Sequence, residues 1–378
     1  MLIYLDNSAS TRPHPECLEA YTKAASDYYA NPASLHQAGG ASEKLLEKAR
    51  TRVMNLLGVK QGTIVFTSGA TEANNHVFTG TSENRTRPGH AILTAVEHPS
   101  VKEAAAKLER KGWELTWIYP DDQGRIRPED VEDEVTGKTA LVSVMHVNNE
   151  TGTIHPVEEI GKRLRRYPGV RFHVDGVQGI GKVPLSLEEA GIDYYSLSAH
   201  KMHGLKQSGI LYVRSPETLA PLLHGGAQEK GLRAGTADPA AAAAFARALR
   251  MAKEEEEKKR RHLRGMMIQL EAELEKDDSC RLHRSPERAP HILSLSVPGR
   301  KPETVVHAMA EEGIILSTTS ACSSKHSDRS AVLDAWGLPP SWSASSLRIS
   351  LSTENTQKDI ETFLHAWKRV IPSLAVSG

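Results

Sequence analysis

The alternation of apolar and amphipathic segments between residues 60 and 215 most constrains what this chain can fold into. The apolar segments are typical of buried strands, and the amphipathic ones carry apolar residues at helical spacing. "TIVFTSGATEANNHVFTG" (63–80), for example, predicts a strand, a Ser-Gly turn and the start of a helix. Strands that alternate with helices form a mostly parallel sheet covered on both faces, so the predicted fold class is α/β.

The pattern changes after residue 215. Continuous helical periodicity over 234–276 is followed by the strand-like segments "HILSLSVPG", "IILSTTSACSS" and "SSLRISLS" and by a final helix. A chain of 378 residues exceeds one ordinary hydrophobic core. We therefore predict a large domain over 15–250 and a smaller α+β domain made of 1–14 and 251–378.

Composition and charge argue against several classes of protein. Lysine plus arginine number 47, as do aspartate plus glutamate, and no basic cluster is interleaved with aromatic residues, so we expect no direct nucleic-acid partner. No apolar run approaches the roughly 18 residues of a membrane span, and the first residues lack the features of a signal peptide. Three cysteines in a chain of this length favour a cytoplasmic protein without a disulfide framework.

Polar side chains stand where the predicted strands end. They are Ser68, His98, Asn149, Asp175, and His200 with Lys201. In open α/β sheets, ligands bind outside the carboxyl ends of the strands. These positions are therefore the candidate site.

Asp175 and Lys201 suggest a specific cofactor. A lysine that forms a Schiff base, together with an aspartate that pairs with a pyridinium nitrogen, is what pyridoxal 5'-phosphate requires. The alternatives are an ordinary partner for Asp175, such as an arginine or a helix N-terminus, and an exposed turn position for Lys201.

The turn before the helix in "TSGATE" (67–72) is a candidate phosphate site. Backbone N–H groups and the helix dipole favour an anion there, with Ser198 and His200 as further donors. Taken alone, such a turn is a weak signal. His98 is either structural or stacks on a cofactor ring and moves protons.

Cys322 lies in the small, polar stretch "STTSACSSKHSDRS" (317–330), which favours a reachable thiol over a buried one. Cys17 and Cys280 have no such context and are expected to be structural. Arg348 alternates with apolar residues and is either a bidentate partner of a substrate carboxylate or part of a structural ion pair. Histidines and cysteines show no familiar zinc spacing, so we expect no metal.

Taken together, the motifs resemble those of the cysteine desulfurases of the NifS/IscS type, in the class V aminotransferase group. The resemblance covers nearly the whole chain. The motifs that carry it are, in order, "YLDNSAST", "NPASLH", "IVFTSGATEANN", "EHPSV", "MHVNNETG", "FHVDGVQGIGK", "SLSAHKMHG", "HGGAQEKGLRAGT" and "SACSS".

The resemblance implies fold type I of the pyridoxal-phosphate enzymes, with a seven-stranded type of sheet. It implies that Lys201 carries the Schiff base and that Asn149 and Arg348 bind substrate. The implied cofactor-binding residues are Ala70, Thr71, His98, Asn149, Asp175, Gln178, Ser198, His200, Lys201 and Thr236. The resemblance also implies that Thr236 reaches the cofactor phosphate of a neighbouring subunit. It therefore implies a homodimer.

The implied reaction converts L-cysteine to L-alanine, with Lys201, His98 and Cys322 as catalytic residues. Cys322 takes the sulfur as a persulfide and passes it to an acceptor protein, a scaffold or a thiotransferase. Iron–sulfur cluster assembly and thiolation of tRNA or of a cofactor are all open. The alternatives are a selenocysteine lyase, another class V aminotransferase, or a pyridoxal-binding scaffold without turnover. A transaminase would not need Cys322, and a scaffold would have no need to keep Lys201.

The sequence departs from the family pattern at three places. Gly176 stands where alanine is common, and Leu205-Lys206-Gln207 follow Gly204 where Pro-Lys-Gly is common. "TTSAC" stands in place of "SGSAC". None of these changes removes an implied catalytic group.

Overall fold

The computed structural model describes residues 2–319 and 329–375. The strands, numbered along the chain, are β1 Ile3–Tyr4, β2 Thr63–Thr67, β3 His90–Thr94, β4 Glu114–Ile118, β5 Thr139–Ser143, β6 Arg171–Asp175, β7 Tyr194–Ser198, β8 Gly209–Val213, β9 Arg281–His283, β10 Ile292–Ser296, β11 Ile314–Ile315, β12 Ser317–Thr318 and β13 Ser346–Ser350. The α-helices are α1 Pro15–Asp27, α2 Gln37–Leu57, α3 Ala70–Glu83, α4 Pro99–Arg110, α5 Pro128–Asp133, α6 Val157–Leu164, α7 Pro239–Lys253, α8 Glu256–Leu274, α9 Pro302–Glu311, α10 Ala331–Ala335, α11 Pro340–Ser343 and α12 Gln357–Ser373.

A seven-stranded sheet forms the centre of the fold, in the order β2-β8-β7-β6-β5-β3-β4. Strand β8 runs antiparallel to β2 and β7, and the remaining pairs are parallel. The predicted α/β class with a mostly parallel sheet is confirmed. The carboxyl ends of β2, β3, β5, β6 and β7 consequently meet at one edge of the sheet.

Helices cover both faces of this sheet, which explains why its strands are so apolar. Every residue of β5 and of β7 is buried. One core includes Val53 of α2 and Phe245 of α7, and the core on the other face includes Val77 of α3 and Val101 of α4. A strand buried on both sides lacks the polar-apolar alternation of a half-exposed strand.

A second core lies around the antiparallel sheet β12-β13-β10-β9. Its members include Leu295, Ile349 and Trp367 of α12. Strand β1 pairs in parallel with β11, so the N-terminal segment packs on this part of the chain. The boundary near residue 250 stays a prediction.

The continuous helix expected over 234–276 is wrong, because the segment forms two helices. Helix α7 ends at Lys253 and α8 begins at Glu256, with Glu255 between them at φ 52°. The break falls in a run of four glutamates, and it places Glu256 and Glu257 in the first turn of α8. Acidic side chains are favourable at that end of a helix dipole.

Candidate active site

A cavity of about 840 Å³ opens at the carboxyl edge of the seven-stranded sheet. The predicted site residues that line it are Ser68, Ala70, Thr71, His98, Asn149, Asp175, Gln178, Ser198, His200, Lys201 and Arg348. Ten of the predicted residues at strand ends and turns therefore share one space with Arg348 from the second sheet. Cavities of this size bind small organic ligands.

Lys201 ends the 3-10 turn Ala199–Lys201, which follows β7 directly. Its ammonium donates to the carbonyl oxygen of Ser8 and, over 2.8 Å, to that of Ala9. The N-terminal segment around "YLDNSAST" thus forms a wall of the cavity, a role that the sequence analysis missed. The motif was the only signal for this role, because the contacts use backbone carbonyl oxygens, which every residue type has.

Asp175, the last residue of β6, is 6% exposed and bound by neutral donors. Its Oδ2 accepts from Asn74 Nδ2 over 2.9 Å, and its Oδ1 accepts from the backbone N–H of Val177 over 3.1 Å. In the described part of the chain, no arginine or lysine forms an ion pair with it. A buried carboxylate with only neutral donors has unmet capacity for a cation or a charged N–H group.

A hydrogen-bonded chain runs from Asp175 to His98. Asn74 Nδ2 also donates to Ser100 Oγ over 2.9 Å, and Ser100 Oγ lies 2.8 Å from His98 Nδ1. The backbone N–H of Ser100 donates to the same Nδ1, because His98 caps helix α4. A neutral imidazole whose Nδ1 accepts carries its proton on Nε2. Burial lowers the pKa of His98, with Lys201 acting in the same direction and Asp175 against it.

Sequence reasoning missed Asn74 and Ser100. The signal for Asn74 was its place one helical turn after Ala70, on the same face of α3. Ser100 follows His98 in "EHPSV", but its contact with Asn74 depends on the packing of α3 against α4.

The predicted phosphate turn has an uncapped helix start. Gly69 precedes α3 at φ 153° without a side-chain hydrogen bond to the first helical N–H groups. Lys206 and Gln207 also line the cavity and were not predicted to. Burial, together with the charges of Lys201 and Lys206, lowers the pKa of His200 to about 4, so its imidazole is neutral near pH 7.

Arg348 forms the structural ion pair that was one of its two predicted roles, and the other role, binding a substrate carboxylate, stays a prediction. It is 1% exposed and donates from Nη2 to Asp6 Oδ1 over 2.8 Å and from Nη1 to the carbonyl oxygen of Asn149 over 3.0 Å. Its Nε is buried and has no partner among the described residues, while the side chain lines the cavity. The structural ion pair therefore leaves donors available for a carboxylate.

One predicted residue of the described structure is not brought to this cavity. Thr236 is exposed and does not line the cavity. Cys322 lies outside the described residues. Cys17 and Cys280 are buried, as expected, and burial raises the pKa of the Cys280 thiol to about 12. Within residues 2–319 and 329–375, no three His, Cys, Asp or Glu side chains group to hold a metal ion, and no helix is long and apolar enough to cross a membrane.

The profile of the class-V aminotransferase family matches residues 3–363. The chain belongs to this family. A NifS/IcsS protein homolog from Lactobacillus delbrueckii subsp. bulgaricus is 39% identical over 98% of this chain and 97% of its own length. Cysteine desulfurase IscS of Clostridium botulinum is 37% identical over 98% and 94%. The solved structure of a NifS-like protein superposes with a TM-score of 0.92 at 35% identity, over 99% of this chain and all of that chain. Within the family, the chain is of the NifS/IscS type.

Pyridoxal 5'-phosphate is the cofactor of this family, and the cavity has the groups to hold it. Lys201 supplies an amine, and Asp175 supplies a buried carboxylate that forms no ion pair within residues 2–319 and 329–375. Gln178 Oε1 is buried without a hydrogen-bond partner in the described structure, so a ring hydroxyl has an acceptor there. The uncapped start of α3 matches a phosphate. Each part of the cofactor thus has a residue of suitable charge or hydrogen-bonding role in the cavity.

Proposed function

We propose that this chain is a cysteine desulfurase that converts L-cysteine to L-alanine and holds the sulfur as a persulfide on Cys322. The observation that carries the proposal is that Lys201, Asp175 and Arg348 line one cavity. An amine, a carboxylate for a pyridinium and a guanidinium for a substrate carboxylate are the groups that this chemistry needs together.

The residues that line the cavity have different roles in the proposed reaction. When bound, pyridoxal 5'-phosphate supplies an aldehyde that joins amines covalently and a ring that withdraws electrons from Cα. With the cofactor bound, Asp175 would keep the ring nitrogen protonated, and Arg348 would orient the substrate through its carboxylate. Lys201 Nζ removes the Cα proton, and the carbonyl oxygens of Ser8 and Ala9 receive the ammonium that results. His98, neutral with its proton on Nε2, donates from that atom into the cavity.

Cys322 follows a described segment that pairs with the strand of Arg348. It follows Thr319 by three residues, so their Cα atoms are at most about 11 Å apart. Thr319 Oγ1 hydrogen-bonds Ser346 Oγ, and Thr318 pairs with Leu347, beside Arg348. This short connection supports attack of the Cys322 thiolate on the substrate sulfur. The S–S bond forms, the Cβ–S bond breaks, and its electron pair remains on carbon, which is protonated to give L-alanine.

The partners belong to the proposal as well. We infer an acceptor protein that takes the persulfide sulfur in the cytoplasm, and a homodimer in which Thr236 reaches the neighbouring cofactor site. The loop before Thr236 is fixed from within its own subunit: Arg50 binds Glu229 through 2.7 Å and 3.1 Å contacts, and Arg233 Nε donates to Glu72 over 2.9 Å. Thr236 is thereby presented at the surface on a braced loop.

The decisive experiment supplies purified holoenzyme with L-cysteine and dithiothreitol and measures alanine and sulfide. Wild type is expected to form both in equal amounts, and Cys322→Ala neither, while Cys280→Ala, the loss of a buried thiol away from the cavity, keeps both. If Cys322→Ala retains alanine formation, the chain is a direct lyase instead. Loss of the visible absorption band in Lys201→Ala, measured separately, tests the cofactor lysine independently of turnover.

A further inference from the structure

A second cavity, of about 550 Å³, lies behind the catalytic lysine. Lys201, Thr11 and Asn7 line it. On its other sides it is bounded by the start of α1, the end of α7, the start of α8 and the turn after β13. Its size is within the range of cavities that bind small molecules. Nothing in the proposed desulfurase reaction uses it.

The cavity has an apolar lining. Leu263, Leu351 and Met202 are each nearly inaccessible to solvent although they border the space, and Ile180 and Met251 continue the same surface. Apolar walls around an open space favour a ligand with an apolar body over water alone.

Most charged side chains in the wall already have partners. Glu16 pairs with Arg247 at 3.1 Å, Glu254 pairs with Arg250, and Glu255 pairs with Lys258 at 3.1 Å. On the opposite rim, Glu354 lies 3.7 Å from His203. Glu16, Glu254 and Glu255 are thus matched by basic side chains, whereas burial lowers the pKa of His203, so Glu354 keeps an unmatched negative charge at the rim.

Besides Lys201, which we propose holds the cofactor, the lysines of the wall are Lys259 and Lys182. Lys259 lies near three glutamates, Glu254 to Glu256. Lys182 Nζ donates to the carbonyl oxygen of Lys201 over 3.0 Å and, within the described residues, forms no ion pair with a carboxylate. Burial, with the charge of Lys201, lowers the pKa of Lys182 to about 8, so it is still mostly protonated near pH 7. Among the described residues, the Lys182 ammonium therefore has a carbonyl oxygen but no carboxylate as its partner.

The backbone holds Lys182 in place. Gly181 has φ 70°, and a side chain there would come within 2.8 Å of Ala252 in α7, so the turn packs closely against that helix. A preorganised ammonium loses less entropy on binding than a mobile surface lysine.

We propose that this cavity is a second binding site, for a small carboxylic acid with an apolar body, whose carboxylate pairs with Lys182. The apolar part lies against Leu263, Leu351 and Met202. The ammonium of a lysine acts as a point charge and can pair with a single carboxylate. This ion pair is stronger in an enclosed cavity than it is in water.

The probe for this site is hexanoate, with hexan-1-ol as the uncharged control, titrated into holoenzyme by isothermal calorimetry. We expect hexanoate to bind at least tenfold more tightly than hexan-1-ol. Lys182→Met is expected to weaken hexanoate at least tenfold and to remove this preference, and Lys182→Arg to keep it. Thr353→Glu, an exposed substitution at the rim of the cavity, is expected to weaken hexanoate severalfold without altering Lys182.

Arg348→Gln separates this site from the catalytic cavity, where a carboxylate also has a partner. Hexanoate affinity should be unchanged in Arg348→Gln. Affinity that falls in Arg348→Gln but not in Lys182→Met assigns the probe to the catalytic cavity and overturns the proposal, as does absence of binding to wild type. Because calorimetry needs no turnover, failure here is distinguishable from failure of the desulfurase assignment.

Discussion

The Arg348 guanidinium is held from behind by Asp6. Nη2 donates to Asp6 Oδ1 over 2.8 Å, and Arg348 lines the catalytic cavity whereas Asp6 does not. Asp6 is in turn joined to the strand of Arg348 by a bridge to Ser350. A buried guanidinium needs a charged partner to offset its lost hydration. We therefore expect Asp6 to position Arg348 for the substrate carboxylate that we propose it binds.

Asp6→Asn keeps the shape and one acceptor oxygen but removes the charge. We expect the KM for L-cysteine to rise about tenfold, because a charge-assisted hydrogen bond contributes on the order of 1–2 kcal/mol more than a neutral one. The kcat should change less than the KM, and the visible absorption band should be unchanged. Steady-state alanine formation gives both constants.

The methyl ester of L-cysteine is the matched control for this variant, because it lacks the carboxylate. If Asp6 acts through Arg348, the KM for the ester is the same in wild type and Asp6→Asn. An equal rise for acid and ester would mean that Asp6 acts on the fold and not on substrate orientation.

Gly176→Ala tests the first departure from the family pattern. A Cβ on Gly176 would lie 2.0 Å from the ring of Tyr195, whose side chain is buried. Alanine therefore forces the ring or the strand to move, and we expect a loss of about 1–3 kcal/mol in the free energy of unfolding. Gly137→Ala, which adds a methyl group in open space, should lose much less. Urea unfolding of both variants measures the difference.

Tyr195→Leu should restore part of the stability lost in Gly176→Ala, because the shorter side chain leaves space for the methyl group. If the double variant loses as much as the two single variants combined, the residues are not coupled, and the contact is not the reason that glycine stands here.

The sheet and most of the cavity could be predicted from the sequence because both follow from local patterns. Strands buried on two faces are apolar throughout, and parallel strands end at one edge, so Asp175 and Lys201 were expected to converge. Asn74 could not be predicted as a partner of Asp175, since 101 residues separate them and only the packing of α3 brings them together. The carbonyl oxygen of Ser8 has no side-chain signature at all. The break at Glu255 was hidden because both flanking segments keep helical periodicity.

Gln207→Gly tests the second departure. Gln207 has φ 55°, in the left-handed region that disfavours side chains by roughly 1–2 kcal/mol. Glycine relieves this strain but is more flexible in the unfolded chain, so we expect a net gain of about 0.5–1 kcal/mol. Leu205→Gly, two residues earlier and without positive φ, should instead lose stability. Thermal unfolding of the two variants is expected to shift in opposite directions, and shifts of the same sign would contradict the argument.

Glu97 links stability to pH. Burial raises its pKa from 4.5 to about 8, with Asp175 acting in the same direction and hydrogen bonds from Thr94 and the Met145 N–H against it. The folded chain thus keeps this carboxyl protonated where the unfolded chain has lost the proton. Its contribution to stability is full below pH 4.5 and is lost as the pH rises to about 8.

Glu97→Gln keeps the shape and the acceptor oxygen but cannot ionise. The free energy of unfolding of this variant, relative to wild type, should therefore rise steadily between pH 5 and pH 8 and level off above pH 8. Each unit of pKa difference corresponds to about 1.4 kcal/mol, so the total rise is a few kcal/mol at most. Denaturant unfolding at several pH values measures this difference, in which all other titrating groups cancel. Glu109→Gln, on the exposed side of α4, should show no such trend. If the difference for Glu97→Gln is constant across this range, Glu97 is already ionised in the folded protein, and a cation or water stabilises the carboxylate.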